Sequence, residues 1–165
     1  MSQLSLIMNK QRLYQELSIQ LKGLYVNESD FIANAAQLCA LLYHQIPYLN
    51  WAGFYLLIAN ELVLGPFQGQ IACTRIAIGQ GVCGQCADKQ KVIIVQDVTT
   101  LDNYIACDPQ TRSEIVLPVL NNNQLIGVLD LDSPNKNNFN DDDAQGLITL
   151  LKIFVASTNM TKPKK

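Results

Sequence analysis

Leucines recur at steps of three and four early in the chain: Leu13, Leu17, Leu21 and Leu24 within NKQRLYQELSIQLKGLY. That spacing lines one face of an amphipathic helix. The next segment, NESDFIANAAQLCALLYHQI, repeats it with Phe31, Ala35, Leu38 and Leu42. Asn27 or Ser29 is available there as N-cap, and Pro47 stands just past the end. The N-terminal helices are expected over about 8–46. From about residue 50 the period falls to two. LNWAGFYLLIANELVLGPFQG reads as two strands joined at Ala59-Asn60, and SEIVLPVLNNNQLIGVLDLDS as a second hairpin turning at Asn121-Asn122-Asn123. Between the hairpins come a short strand, CTRIAI, and a short helix, GVCGQCADKQ, after the Gly79-Gln80-Gly81 turn. A strand, KVIIVQDV, and an aperiodic polar loop, TTLDNYIACDPQTR, follow. A final helix over about 140–158 opens on Asn140 and the aspartates Asp141, Asp142 and Asp143, which complement its dipole.

This order predicts an α+β fold for residues 1–165 as a single unit, with an antiparallel sheet and its loops over about 50–133 and helices packed mainly on one face. Hydrophobic residues at 48% and charged residues at 16% suit a globular chain. A net charge of −2 and a pI near 5.2 leave no electrostatic footprint for nucleic acid or an anionic membrane. No apolar run reaches the roughly 18 residues of a membrane span. The N-terminus lacks the basic and apolar regions of a secretory signal, so a cytoplasmic setting is expected. Thiols stay reduced there, and an odd count of 5 cysteines is not a structural disulfide framework.

Cys83 and Cys86 form a C-x-x-C. A thioredoxin-type motif sits on a long helix after a buried parallel strand, and structural zinc wants four ligands in paired spacing. Neither setting is predicted here. Cys86 reads as a small residue on the buried side of its short helix, Cys39 as a core residue, and His44 as a surface or rim residue. Cys73, Cys83 and Cys107 instead stand beside polar residues, in QIACTR, GVCGQ and YIACDPQ. They are either three unrelated half-buried cysteines or a reactive set. Glu114 starts one strand, while Asp130 and Asp132 lie two apart on the next and so face the same side. These carboxylates are either ordinary strand-end acids or a pocket for an amino group and a proton. Arg75 and Arg112 follow Cys73 and Cys107 closely; both read as exposed, although either would lower a thiol pKa at close range.

The motifs NWAGFY, LGPFQGQIACTRI, GQGVCG, YIACDPQTRSEIVLPV and IGVLDLDS, with Asp97-Val98, resemble the free methionine-(R)-sulfoxide reductases, small stand-alone GAF domains. The resemblance implies a GAF fold and reduction of the free amino acid's R epimer without cofactor or metal. It implies that the Cys107 sulfur attacks the substrate and that Cys73 is its disulfide partner. Cys83 matches a third cysteine that serves as nucleophile in some members and auxiliary resolver in others. Trp51 and Tyr55 match aromatic positions of the substrate pocket, and Glu114, Asp130 and Asp132 its carboxylates. We expect Glu114 near the sulfoxide oxygen as proton donor and the aspartates on the substrate ammonium. Thioredoxin or a similar dithiol as reductant, and a homodimer, are further implications. The competing expectation is a GAF domain that senses a small ligand through redox-responsive cysteines.

Overall fold

A computed structural model describes residues 3–102 and 107–160, with the side chains of residues 3–9 left aside. Helices α1 (Gln3–Leu24) and α2 (Phe31–Gln45) come first, followed by β1 (Trp51–Ile58), β2 (Glu61–Gly69) and β3 (Arg75–Ala77). Helix α3 (Gly81–Lys89), β4 (Ile93–Val95) and a 3-10 turn (Val98–Thr100) precede β5 (Ser113–Asn121), β6 (Gln124–Ser133) and α4 (Asp141–Ser157). The six strands form one sheet in the order β3-β2-β1-β6-β5-β4, and each neighbouring pair is antiparallel.

Local chemistry accounts for most boundaries. The N-cap of α2 is Asp30, not Asn27 or Ser29; its carboxylate accepts the Ala33 N–H at 2.9 Å. Asn140 caps α4 in a reciprocal box with Asp143, as the residue pattern predicts. Both hairpin turns carry two successive residues of positive φ, Ala59 and Asn60 (46° and 72°) and Asn122 and Asn123 (49° and 64°). This is the backbone of a tight two-residue hairpin. The expected strand over KVIIVQDV is cut to three residues, because Asp97 turns the chain by accepting the Thr99 N–H at 3.1 Å. Pro66, within β2, sits where the β1–β2 register shifts opposite Phe54, so its missing N–H leaves no ladder bond unmade.

The alternation of β1, β5 and β6 sends two sets of side chains to opposite faces. Ala52, Phe54, Ile115, Leu117, Leu129 and Leu131 pack under α1, α2 and α4 and form the main core. Three helices on this face fit the expectation of helices packed mainly on one side. α3 crosses to the other side, where Val82, Cys83, Cys86 and Ala87 join a second cluster with Trp51, Tyr55, Val116 and Val128. A sheet covered by helices on one side alone would leave its carboxylates in water. The small helix is what buries them. Gly84 allows this approach, since a Cβ there would lie 2.4 Å from the Ala77 carbonyl oxygen.

Candidate active site

The register places the three strand acids together. Asp132 stands opposite Trp51 on β1 and Glu114 on β5, and Asp130 stands opposite Gly53 and Val116. Cross-strand partners share a face, so Trp51, Tyr55, Glu114, Asp130 and Asp132 all point toward α3. From above, the Cys83 thiol sits 3.3 Å from Asp130 Oδ2 and 4.0 Å from Glu114 Oε1. Glu114 and Asp130 are 5% and 6% exposed, while Asp132 is half-buried at the rim. Asp130 Oδ1 and Asp132 Oδ1 are hidden from solvent and have no hydrogen-bond partner among the described residues.

Burial is the first cause of the protonation states here. Desolvation raises the Glu114 carboxyl well above its usual range, and the charges of Asp130 and Asp132 add to it. Asp132 is raised in the same way, by desolvation, then by Asp130 and Asp108. Desolvation carries Asp130 from 3.8 up to about 7, although hydrogen bonds with Cys83 and Glu114 pull it back. The Cys83 thiol is raised by burial, then by Asp130 and Glu114. The cluster therefore keeps protons at neutral pH and can give one up. Donor atoms of Cys83, Glu114 and Asp130 lie within 4.8 Å of one another, a spacing a cation could bridge. With these protons retained the cluster carries little net charge to hold a cation, and Asp130 Oδ1 and Asp132 Oδ1 stay without a partner among the described residues.

The aromatic wall stands beside the acids. Trp51 stacks between Tyr55 and Phe67, with ring centroids 5.8 and 5.4 Å away. Its indole N–H donates to the Gln70 carbonyl at 3.1 Å, and the Tyr55 hydroxyl donates to the Cys73 carbonyl at 3.0 Å. Both bonds tie β1 to the segment that carries Cys73. Gly53 makes the wall possible: a Cβ there would lie 2.4 Å from Trp51 Cη2 and 2.5 Å from Phe67 Cβ. Gly53→Ala is expected to tilt the indole and to cost about 1–3 kcal/mol of stability as overpacking. In turnover it should raise KM more than it lowers kcat; an unchanged KM would remove Trp51 from the binding surface.

Cys73 and Cys107 are joined by a disulfide with Cα atoms 5.3 Å apart. Cys83 and Cys107 line the same cleft as Trp51, Glu114 and the two aspartates. The loop carrying Cys107 is anchored just beyond it. Asn50 Nδ2 donates to Asp108 Oδ2 at 2.8 Å and to Thr111 Oγ1 at 3.2 Å. The Arg112 guanidinium donates to the carbonyls of Pro109 and Thr111, each at 2.8 Å. Arg112 thus braces the loop, and Arg75 forms an ion pair with Glu61 across the strand edge. Residues 103–106 of this loop lie outside the described residues.

Sequence reasoning did not single out Asn50, Gly53, Phe67, Asp108 or Thr111. The place of Asp108 directly after Cys107, and of Gly53 between two aromatic wall positions, are the signals that were available. Cys39 is buried with its thiol on the Pro66 carbonyl at 3.2 Å, and burial pushes it up to about 12. It is a core residue, as expected. Cys86 is buried too, on the sheet-facing side of α3, with its thiol on the Lys91 carbonyl at 3.2 Å. His44 is exposed and lies edge-on to Tyr43.

A family model described as GAF domain matches residues 33–153. The free methionine-R-sulfoxide reductase of Escherichia coli (strain K12) is 46% identical over 158 residues, covering 94% of this chain and 96% of that protein. The chain belongs to the free methionine-R-sulfoxide reductase family of GAF domains. Two solved structures from the family agree with the fold. That of the Neisseria meningitidis reductase in complex with its substrate has a TM-score of 0.86 at 42% identity, with 90% of this chain and 89% of that chain covered. The reduced form of fRMsr of Staphylococcus aureus has a TM-score of 0.84 at 42% identity, with 87% and 94% covered. Membership makes this chain an oxidoreductase of the methionine sulfoxide reductase class.

Proposed function

We propose that the protein reduces free methionine-(R)-sulfoxide to methionine in the cleft between α3 and the sheet, with Cys107 as nucleophile and Cys73 as resolving thiol. One observation carries the cysteine assignment: the Cys73–Cys107 disulfide sits at a cleft walled by an aromatic stack and floored by protonated carboxyls. The Cys107 thiolate attacks the sulfoxide sulfur while Glu114 protonates the departing oxygen. That hydroxyl passes from the substrate sulfur to the Cys107 sulfur as the bond between the two sulfurs breaks, so methionine leaves and Cys107 remains as a sulfenic acid. Condensation with the Cys73 thiol releases water and forms the disulfide. A thioredoxin-like dithiol then exchanges with it and restores both thiols.

The carboxyls divide naturally between the two polar ends of the substrate. Asp130 and Asp132 each keep one oxygen without a partner among the described residues, which suits an ammonium donor. An arriving ammonium favours their ionised forms. Glu114, raised by desolvation and then by the charges of both aspartates, retains the proton for the sulfoxide oxygen. The stacked face of Trp51 accommodates the thioether methyl. A peptide-bonded methionine would bring no ammonium, leaving the aspartates buried and unpaired.

The test is dithiothreitol-driven turnover of the separated R and S epimers, each offered free and within a peptide. Methionine release from the free R epimer alone is the expected result. Equal turnover of both epimers, or of the peptide form, would remove the basis for the ammonium site. No turnover of any of them would favour a ligand-sensing role.

A further inference from the structure

We propose that Cys86 is a fourth working sulfur: Cys83 and Cys86 take over the oxidising equivalent of the Cys73–Cys107 disulfide as a disulfide within α3, returning Cys107 to the thiol. The inference rests on the reductase reading above and adds a second, internal store of oxidation to it.

The two cysteines stand three positions apart on α3, and both are buried in the cluster between that helix and the sheet. Helix geometry sets Cα atoms three residues apart at about 5 Å, inside the range of roughly 4.4–6.8 Å that disulfides span. Their Cβ atoms stand about 5–6 Å apart in a regular helix, so closure draws the first turn inward. The N-cap Gln80 makes no side-chain capping bond, so no capping side chain opposes that movement. Cys83 and Cys107 line the same cleft. Asp130 stands 3.3 Å from the Cys83 sulfur and can take its proton. Cys86 has 0% exposure, and burial pushes its thiol up to about 12. Dissolved oxidants do not reach such a group, so its route to oxidation runs through Cys83. Cys39, also a free thiol, belongs to the core on the opposite face and does not compete.

The chemistry is two successive thiol–disulfide exchanges with no net redox change. The Cys83 thiolate, its proton passed to Asp130, attacks the Cys107 sulfur and expels the Cys73 thiolate. The Cys86 thiolate then attacks the Cys83 sulfur and expels the Cys107 thiolate. The two protons lost by Cys83 and Cys86 end on Cys73 and Cys107. One disulfide has broken and one has formed, and the first pair is ready for a second substrate.

Stoichiometry tests this directly. Fully reduced, desalted protein is mixed with excess free methionine-(R)-sulfoxide without any external reductant, and methionine is counted per chain. Two equivalents are expected from wild type, the second slower than the first, and one from Cys86→Ala. Acid-quenched, non-reducing peptide mapping of wild type should then recover a Cys83–Cys86 peptide, which decides the matter even if the variant does not fold. One equivalent from wild type with no such peptide overturns the relay and leaves the reductase reading standing. Two equivalents from Cys86→Ala also overturn it, by assigning the second oxidation to Cys83 alone. No methionine at all overturns the relay together with the reading on which it rests.

Discussion

Cys107→Ser is expected to reduce turnover of free methionine-(R)-sulfoxide to background. Loss of a covalent nucleophile costs on the order of 10⁴-fold or more in kcat. A serine hydroxyl at the same place is not ionised near neutrality, and its oxygen is a poor nucleophile toward sulfoxide sulfur. The Trp51, Glu114, Asp130 and Asp132 surface does not depend on that sulfur, since paired strands position it. Substrate binding should therefore survive in the variant and be measurable by calorimetry. Retained turnover would pass the nucleophile's role to Cys83, which stands 3.3 Å from Asp130 and has a base at hand. The informative pattern is lost turnover with retained binding.

Asp130→Asn should make the protein more stable and less active. The fold holds the Asp130 carboxyl at about 7 instead of 3.8, so the protonated form is the one it favours. Stability from this group is complete below about pH 4, the unfolded pKa, and is lost as pH rises through about 7. The difference between the two ends of that window is roughly 4 kcal/mol. An amide carries no charge at either end. Allowing about half of that value for a poorer acceptor beside the Cys83 thiol, the variant should gain on the order of 2 kcal/mol at pH 8. That is roughly 4–8 °C in Tm for a chain of this size. The two melting curves should converge toward pH 5, when both proteins are compared in the same oxidation state. Activity should fall, because a substrate ammonium would meet a dipole in place of a charge. A wild type as stable at pH 8 as at pH 5, with the variant below it at both, would contradict this account of the cluster.

How much of this was legible in the sequence depended on the range of the interaction involved. Helix periodicity, the alternation of LNWAGFYLLI and GVLDLDS, and the Asn140 cap are local, and each led to the element observed. Alternation also placed Asp130 and Asp132 on one face, but their meeting with Glu114 needed the β5–β6 register, which no local signal sets. The family's motifs supplied the Cys73–Cys107 pairing. Their spacing could not, because the two residues are 34 apart and join through tertiary structure. The N-cap of α2 moved to Asp30 because three neighbouring residues can all cap and only the final chain path selects one. The crossing of α3 to the other face was missed for a related reason. GVCGQCADK is too short and too mixed in polarity to announce which surface it covers, and its position follows from the close fit of Gly84 on Ala77.

The carboxyls and the tryptophan belong to hydrogen-bonded strands, whereas Cys73 and Cys107 belong to connecting segments and are held by a few side-chain bonds. On the function proposed above, recognition and reaction have separate scaffolds. Changes confined to the two connections can add or remove the chemistry while the ligand surface persists, and a lineage could pass between sensor and catalyst without refashioning what it binds. The same separation gives an engineer two independent handles: strand substitutions to change the guest, and loop grafts to change what happens to it.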